Sequence, residues 1–328
     1  MKLVTFLNND GQERAGVLVN NDQDILDLRS SNEFNGRDIN PGFLSVLALI
    51  EGGDSALEDA RRELDAPHSE AIIEVASVSL CSPIPRPPQI RDCLCFEEHL
   101  TRAYEVLRKV KASGEPDPEA ALAQYEEQGL YRIPEVWYQQ PIYYKANRLS
   151  VVGTEHDVIW PPYANILDFE LEFGFFIGKG GRDIPKDQAL DHIFGYSIFN
   201  DISARDTQAV EMQGSLGPAK GKDFDTGNII GPCIVTADEI DPYNLTMIVR
   251  VNGEEWSRGS SSTMHWRFED LISYVSNSET LYPGEFFGSG TVGGGSGLEH
   301  ERYLSPDDVI ELEVEGIGIL RNRIVKQD

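Results

Sequence analysis

Leu167-Asp168-Phe169-Glu170-Leu171-Glu172-Phe173-Gly174-Phe175-Phe176-Ile177-Gly178 sets three carboxylates at every second position of an otherwise apolar run. A period of two is that of an extended strand, so Asp168, Glu170 and Glu172 share one face and Phe169, Leu171 and Phe173 the other. Like charges lined up on an apolar strand repel one another and lose hydration. That face must therefore meet water, meet cations of the protein, or hold a hard metal ion. Oxygen-only ligation suits magnesium, calcium or manganese. For an isolated Glu-x-Glu the commoner reading is the solvated edge of an antiparallel sheet, so the neighbouring residues have to decide.

Composition narrows the possible partners. Among 328 residues, 28 Lys and Arg stand against 55 Asp and Glu, a formal charge of −27. Such a surface repels phosphate backbones and anionic lipid headgroups, which argues against nucleic-acid and membrane partners. Cys81, Cys93, Cys95 and Cys233 show neither a CxxC spacing nor the density of a disulfide-stapled domain. The first ten residues lack the apolar core of a signal peptide, and no stretch reaches the length of a membrane span. A cytoplasmic protein is expected.

Short apolar runs at Leu3–Leu7, Ala15–Val19 and Ile25–Leu28, separated by Asn8-Asn9-Asp10-Gly11 and Asn20-Asn21-Asp22, read as hairpins. Helical stretches are expected near 43–51 and 55–64. Pro83-Ile84-Pro85-Arg86-Pro87-Pro88 favours an extended linker. The expected division is a small N-terminal hairpin domain over 1–84 and a larger domain over 85–328. In the latter, strands dominate, interrupted by a helix near 97–112 and a polar stretch from Ala112 to Gln128 with Gly114, Pro116 and Pro118. That stretch is a candidate mobile insertion, or a lid. The fold class is mainly β, of α+β type, with few helices.

The polar pieces of the larger domain, in order, are Arg91-Asp92 with Phe96-Glu97-Glu98-His99, Tyr144-Lys145, Glu170-Leu171-Glu172, Asn200-Asp201 through Thr207-Gln208, Gly221-Lys222 with Thr226, and Ser289-Gly290-Thr291 through Leu298-Glu299. Together they resemble the fumarylacetoacetate hydrolase family. The resemblance implies that family's β-rich catalytic core, a mixed β-sandwich roll, behind a small accessory domain. It implies one divalent ion, magnesium or calcium with manganese as a third choice, on Glu170, Glu172 and Asp201, with Asp92 as a fourth ligand. It further implies His99 as general base, oriented by Glu299, and Lys222 stabilising an enolate. Arg205, Gln208, Arg108, Thr291 and Tyr144 are the implied substrate contacts.

Two departures bear on substrate. Smaller acylpyruvate-cleaving relatives carry the partner glutamate three residues after the histidine, where this chain has Arg102. Five residues before the histidine, a substrate-binding tyrosine of the family is replaced by Leu94. The expectation is a metal-dependent hydrolase that cleaves a carbon-carbon bond in a β-diketo acid, with His99 and Glu299 activating water. The alternatives are an isomerase, decarboxylase or dehydratase of a 2-oxo acid, or a metal-binding protein without turnover. A homodimer is expected, as for relatives.

Overall fold

The acidic strand is not an edge. Leu171–Ile177 lies inside a twelve-stranded sheet, antiparallel to Ile193–Asp201 on one side and to Phe286–Gly288 on the other, with every residue buried. The computed structural model describes residues 1–327. Phe286–Gly288 runs parallel to Ile90–Cys93, and Ile193–Asp201 pairs onward with Asn228–Thr236. Asp92, Glu172 and Asp201 thus hang from three strands of one sheet.

Alternation along the strand builds two cores. Leu171, Phe173, Phe175 and Ile177 pack with Met247, Val249, Leu312 and Leu320, which belong to a second sheet of five strands ordered Glu254–Ser260, Thr246–Val251, Val309–Val314, Gly318–Val325 and Asp157–Ile159. Phe176 points the other way and packs with Phe199, Phe286 and the helical residues Val46, Leu49, Ala56 and Ala60. Each Phe so buried contributes about 1.5–3 kcal/mol. Glu172 shares the face of Phe176, so apolar packing on both sides holds the carboxylate in place.

The N-terminal hairpins form as read, and Asn20, Asn21 and Asp22 all adopt left-handed backbone, with φ of 52°, 57° and 63°. Their sheet does not stand apart. Lys2–Leu7 pairs with Asn228–Thr236, Lys2 opposite Val235 and Leu3 opposite Ile234. The proline-rich connection is stitched to the same strand: Thr5 Oγ1 donates to the Pro83 carbonyl at 2.7 Å, and the Cys81 N–H to the Thr5 carbonyl at 2.8 Å.

Helix content exceeds the few helices expected. Within the polar stretch from Ala112 to Gln128, Pro118–Glu127 is a helix, capped by the Asp117 side chain on the Ala120 N–H at 3.1 Å. Pro118 occupies its first turn, where the missing N–H has no partner to lose, so a proline that suggested a mobile insertion instead starts a helix. Among the described residues no helix is long and apolar enough to cross a membrane.

Candidate metal and catalytic site

One oxygen from each of Asp92, Glu172 and Asp201 lies within 4.8 Å of the other two, and all three residues are buried. Alternation in Ile90–Cys93 sends Arg91 away to Glu285 at 2.6 Å and Glu279 at 2.5 Å, leaving Asp92 on the cluster face. Room for it comes from Gly288 on the neighbouring strand. A Cβ there would sit 2.6 Å from Asp92 Oδ1 and 3.0 Å from Glu172 Oε2. Oδ1 of Asp92 and Oδ1 of Asp201 are buried without a hydrogen-bond partner. Orphaned acceptors among clustered carboxylates are costly unless a cation meets them, so these donors fit a hard divalent ion. Burial, then the charge of Asp201, pushes Asp92 well above the usual carboxylate range. Burial and the charge of Asp92 do the same to Glu172.

Tyr144 and Thr291 both touch this cluster. The Tyr144 hydroxyl donates to Asp201 Oδ2 at 2.7 Å, and Thr291 Oγ1 to Glu172 Oε1 at 3.4 Å. The Gly290 N–H donates to Glu172 Oε2 at 2.9 Å. Burial and the Asp201 charge hold the Tyr144 phenol well above its usual value, so it stays a donor.

Glu170 stands beside the cluster rather than in it. Its Oε2 meets Lys222 Nζ at 2.5 Å and its Oε1 meets Arg205 Nη2 at 2.8 Å. The chain explains why. Leu167–Asp168 pairs with Ser203–Ala204, the main-sheet strand begins only at Leu171, and the break between them interrupts the period of two. Asp92 takes the third place in the close group. Lys222 also meets Asp201 Oδ2 at 2.5 Å, bridging Glu170 to the cluster. Burial alone would raise the Glu170 carboxyl, but Lys222 and Arg205 outweigh it and hold it below the usual range, with His99 adding to the effect. Burial alone would lower the Lys222 ammonium, yet Asp201 and Glu170 hold it above its usual value. Lys222 is therefore a fixed cation, not a base. Arg205 also meets Asp168, and its Nη1 donates to Gln208 Oε1 at 3.0 Å.

His99, in the first turn of helix Glu97–Ala112, and Glu299, in the turn Leu298–His300, meet across 200 positions, with Nδ1 and Oε1 2.7 Å apart. Glu299 is fixed by the Gly294 N–H on Oε2 at 2.6 Å and by Ser296 Oγ on Oε1 at 3.1 Å. Neither support was singled out from sequence, although both lie in the glycine-rich stretch that carried the resemblance. Arg102, at the alternative partner position, pairs with Glu98 at 2.5 Å. Arg108 is not brought to the site. Nine residues beyond His99 is about 2.5 helical turns, hence the opposite face. There Arg108 donates to the Tyr131 carbonyl at 2.7 Å and lines a separate cleft of about 390 Å³ with Thr101, Tyr104 and Tyr131.

Residues 112–325 match the family model described as fumarylacetoacetate (FAA) hydrolase C-terminal. The chain is 29% identical over 336 residues to an oxaloacetate tautomerase, fahd2, mitochondrial, of Xenopus laevis, covering 99% of this chain and 90% of that protein. It is 30% identical over 283 residues to the oxaloacetate tautomerase FAHD2A, mitochondrial, of Homo sapiens, covering 86% and 80%. Among solved structures, the fumarylacetoacetate hydrolase of psychrophilic Exiguobacterium antarcticum superposes with a TM-score of 0.72 at 25% identity, each chain covered in full. A family match over more than half the chain, an aligned fold and a clustered acidic site beside a histidine–glutamate pair agree. The chain belongs to the fumarylacetoacetate hydrolase family of enzymes.

Proposed function

We propose that this protein moves a proton at the carbon beside the carbonyl of a small 2-oxo dicarboxylic acid, interconverting its keto and enol forms, with oxaloacetate as the first candidate substrate. The observation that carries the reading is the His99–Glu299 contact at 2.7 Å, with His99 near enough to Glu170, the carboxylate beside the cluster, to help lower it. The names of the relatives in Xenopus laevis and Homo sapiens supply the substrate. An ionised Glu299 can only accept, so Nδ1 of His99 carries the proton and Nε2 keeps the lone pair. His99 is then a base with its ring held in one tautomer. Asp92, Glu172 and Asp201 are the residues that would hold a divalent cation, with Glu170 next to them. Magnesium, calcium and manganese all suit the donor set. Such an ion, when bound, polarises a carbonyl oxygen of the substrate. His99 takes the proton from the adjacent carbon and delivers it to the enolate oxygen, and the same two transfers run in reverse for ketonisation. Glu299 stabilises the imidazolium meanwhile. Lys222 helps keep Glu170 ionised, offsets part of the rise that burial imposes on Asp201, and places positive charge near the developing enolate.

Hydrolysis of a β-diketo acid is the second reading, because a buried and doubly supported His–Glu pair is equally suited to activating water. The two separate in one experiment on metal-loaded protein. Deuterium exchange at C3 of oxaloacetate and accelerated loss of enol absorbance support the tautomerase. Cleavage of a diketo acid in ¹⁸O-water with label in a new carboxylate supports the hydrolase. Neither activity, with metal bound, overturns both. A homodimer in a reducing compartment is part of the same proposal, and the four free cysteines support the compartment.

A further inference from the structure

Asp168 carries no role in the chemistry above, yet both its oxygens are fully engaged. It is wholly buried. Oδ1 accepts the N–H of Gly297 at 2.8 Å and of Phe169 at 2.9 Å. Oδ2 accepts the N–H of Leu298 at 2.9 Å and Nε of Arg205 at 2.8 Å. Gly297 and Leu298 are the two residues directly before Glu299. The turn is pressed against the carboxylate so closely that a Cβ on Gly297 would lie 2.4 Å from Asp168 Oδ1. Arg205 passes the grip onward, its Nη2 reaching Glu170 Oε1 at 2.8 Å. A guanidinium expected from the family resemblance to orient substrate is thus tied to two carboxylates of the protein.

We propose that Asp168 is a positioning residue: it sets the turn that presents Glu299 to His99 and, through Arg205, locks that turn in register with the acidic cluster. This inference rests on His99 acting as the base. Only a carboxylate can take this place, because four donors converge on it and none of its oxygens can donate in return. An asparagine would turn its NH₂ group either toward the Leu298 N–H and the Arg205 guanidinium or toward the Gly297 and Phe169 N–H groups, and either repulsion would shift the turn.

The test compares Asp168→Asn, Glu299→Gln and the double variant for kcat, KM and the pH dependence of kcat, and follows the His99 ring nitrogens by ¹⁵N NMR. Asp168→Asn should lower kcat by about 10- to 100-fold, leaving KM within about twofold. Weaker support from Glu299 makes the imidazolium easier to deprotonate, so the acid limb of the profile should move to lower pH, as in Glu299→Gln. Because both act through one contact, the double variant should be no slower than Glu299→Gln, within about twofold. Arg205→Lys spares the Gly297 and Leu298 contacts and should keep the wild-type ring signature. Multiplying effects in the double variant, or an unmoved acid limb with an unmoved ring signature, would overturn the proposal. A changed ring signature together with a fully active His99→Ala enzyme would leave the positioning role standing and remove the base reading instead. Should Asp168→Asn not fold, Asp168→Glu keeps the carboxylate but lengthens it by one methylene, displaces the same turn and is read in the same way.

Discussion

His99 and the three clustered carboxylates can be separated by their consequences. His99→Ala should reduce turnover by about 10²- to 10⁴-fold, the range for loss of a general base. Divalent-ion affinity measured by calorimetry should stay unchanged, since no cluster contact includes the ring. The carboxylates give a pH signature. Burial and mutual charge raise Asp92 and Glu172 above their ordinary values. A folded-state value raised in this way stabilises the protein below the unfolded value, about 4, and the benefit is lost as pH rises through the folded value. Ion-free protein should therefore show a Tm that falls as pH rises above about 5, and saturating magnesium or manganese should flatten that slope. Metal binding should release protons, seen as a binding heat that varies with buffer ionisation enthalpy. A flat Tm in ion-free protein would contradict the clustered arrangement. Legibility differed from residue to residue. Glu172 and Asp201 could be read because acidic residues in apolar runs need a reason. Asp92 was expected from the family resemblance, but the displacement of Glu170 from the close group could not be read, because a two-residue break in a strand leaves the pattern of residue types intact.

Elements decide where a side chain reaches, and two of them carry sharp expectations. Phe286–Gly288 lies between the strands of Asp92 and Glu172, and Gly288 makes room for both carboxylates. Gly288→Ala should preserve the far-UV circular dichroism spectrum and weaken ion affinity by about 10-fold or more, as losses of support around a metal site do. Helix Glu97–Ala112 turns His99 inward and Arg108 outward. Arg108→Ala should leave kcat/KM within about twofold of wild type; a loss of 10-fold or more would bring Arg108 back to the substrate. Helical periodicity contained that answer, since nine residues is half a turn out of phase. The resemblance pointed the other way because it carries positions without orientation. The Pro118–Glu127 helix was hidden by its own initiator, proline being the same letter whether it starts a helix or breaks one.

At the scale of the molecule, the hairpins at the start of the chain complete the sheet that carries the site. Deleting residues 1–84 would free one edge of Asn228–Thr236 and uncover Phe176, Phe194, Phe199 and Phe286, which pack with residues of that segment. The truncated chain should aggregate, as judged by size-exclusion chromatography, while the full chain unfolds in a single transition. A monodisperse, folded 85–328 fragment would show that the second unit stands alone. The fold class was legible in the sequence, and the family resemblance named both His99 and Glu299, which the structure brings into contact; the continuity of the sheet was not legible, because strand pairing across more than 200 residues leaves no local trace.

The parallel pairing of Ile90–Cys93 with Phe286–Gly288 also bears on how the protein is made. On the ribosome, the strand bearing Asp92 emerges almost 200 residues ahead of its neighbour, and His99 ahead of Glu299 by the same margin. Until the last fifth of the chain is out, three acidic strands wait with an unfilled gap beside Leu171–Ile177. A nascent fragment that stops before Phe286 lacks the strand that joins Ile90–Cys93 to Leu171–Ile177, so the arrangement that brings Asp92 to Glu172 is completed only near the end of synthesis.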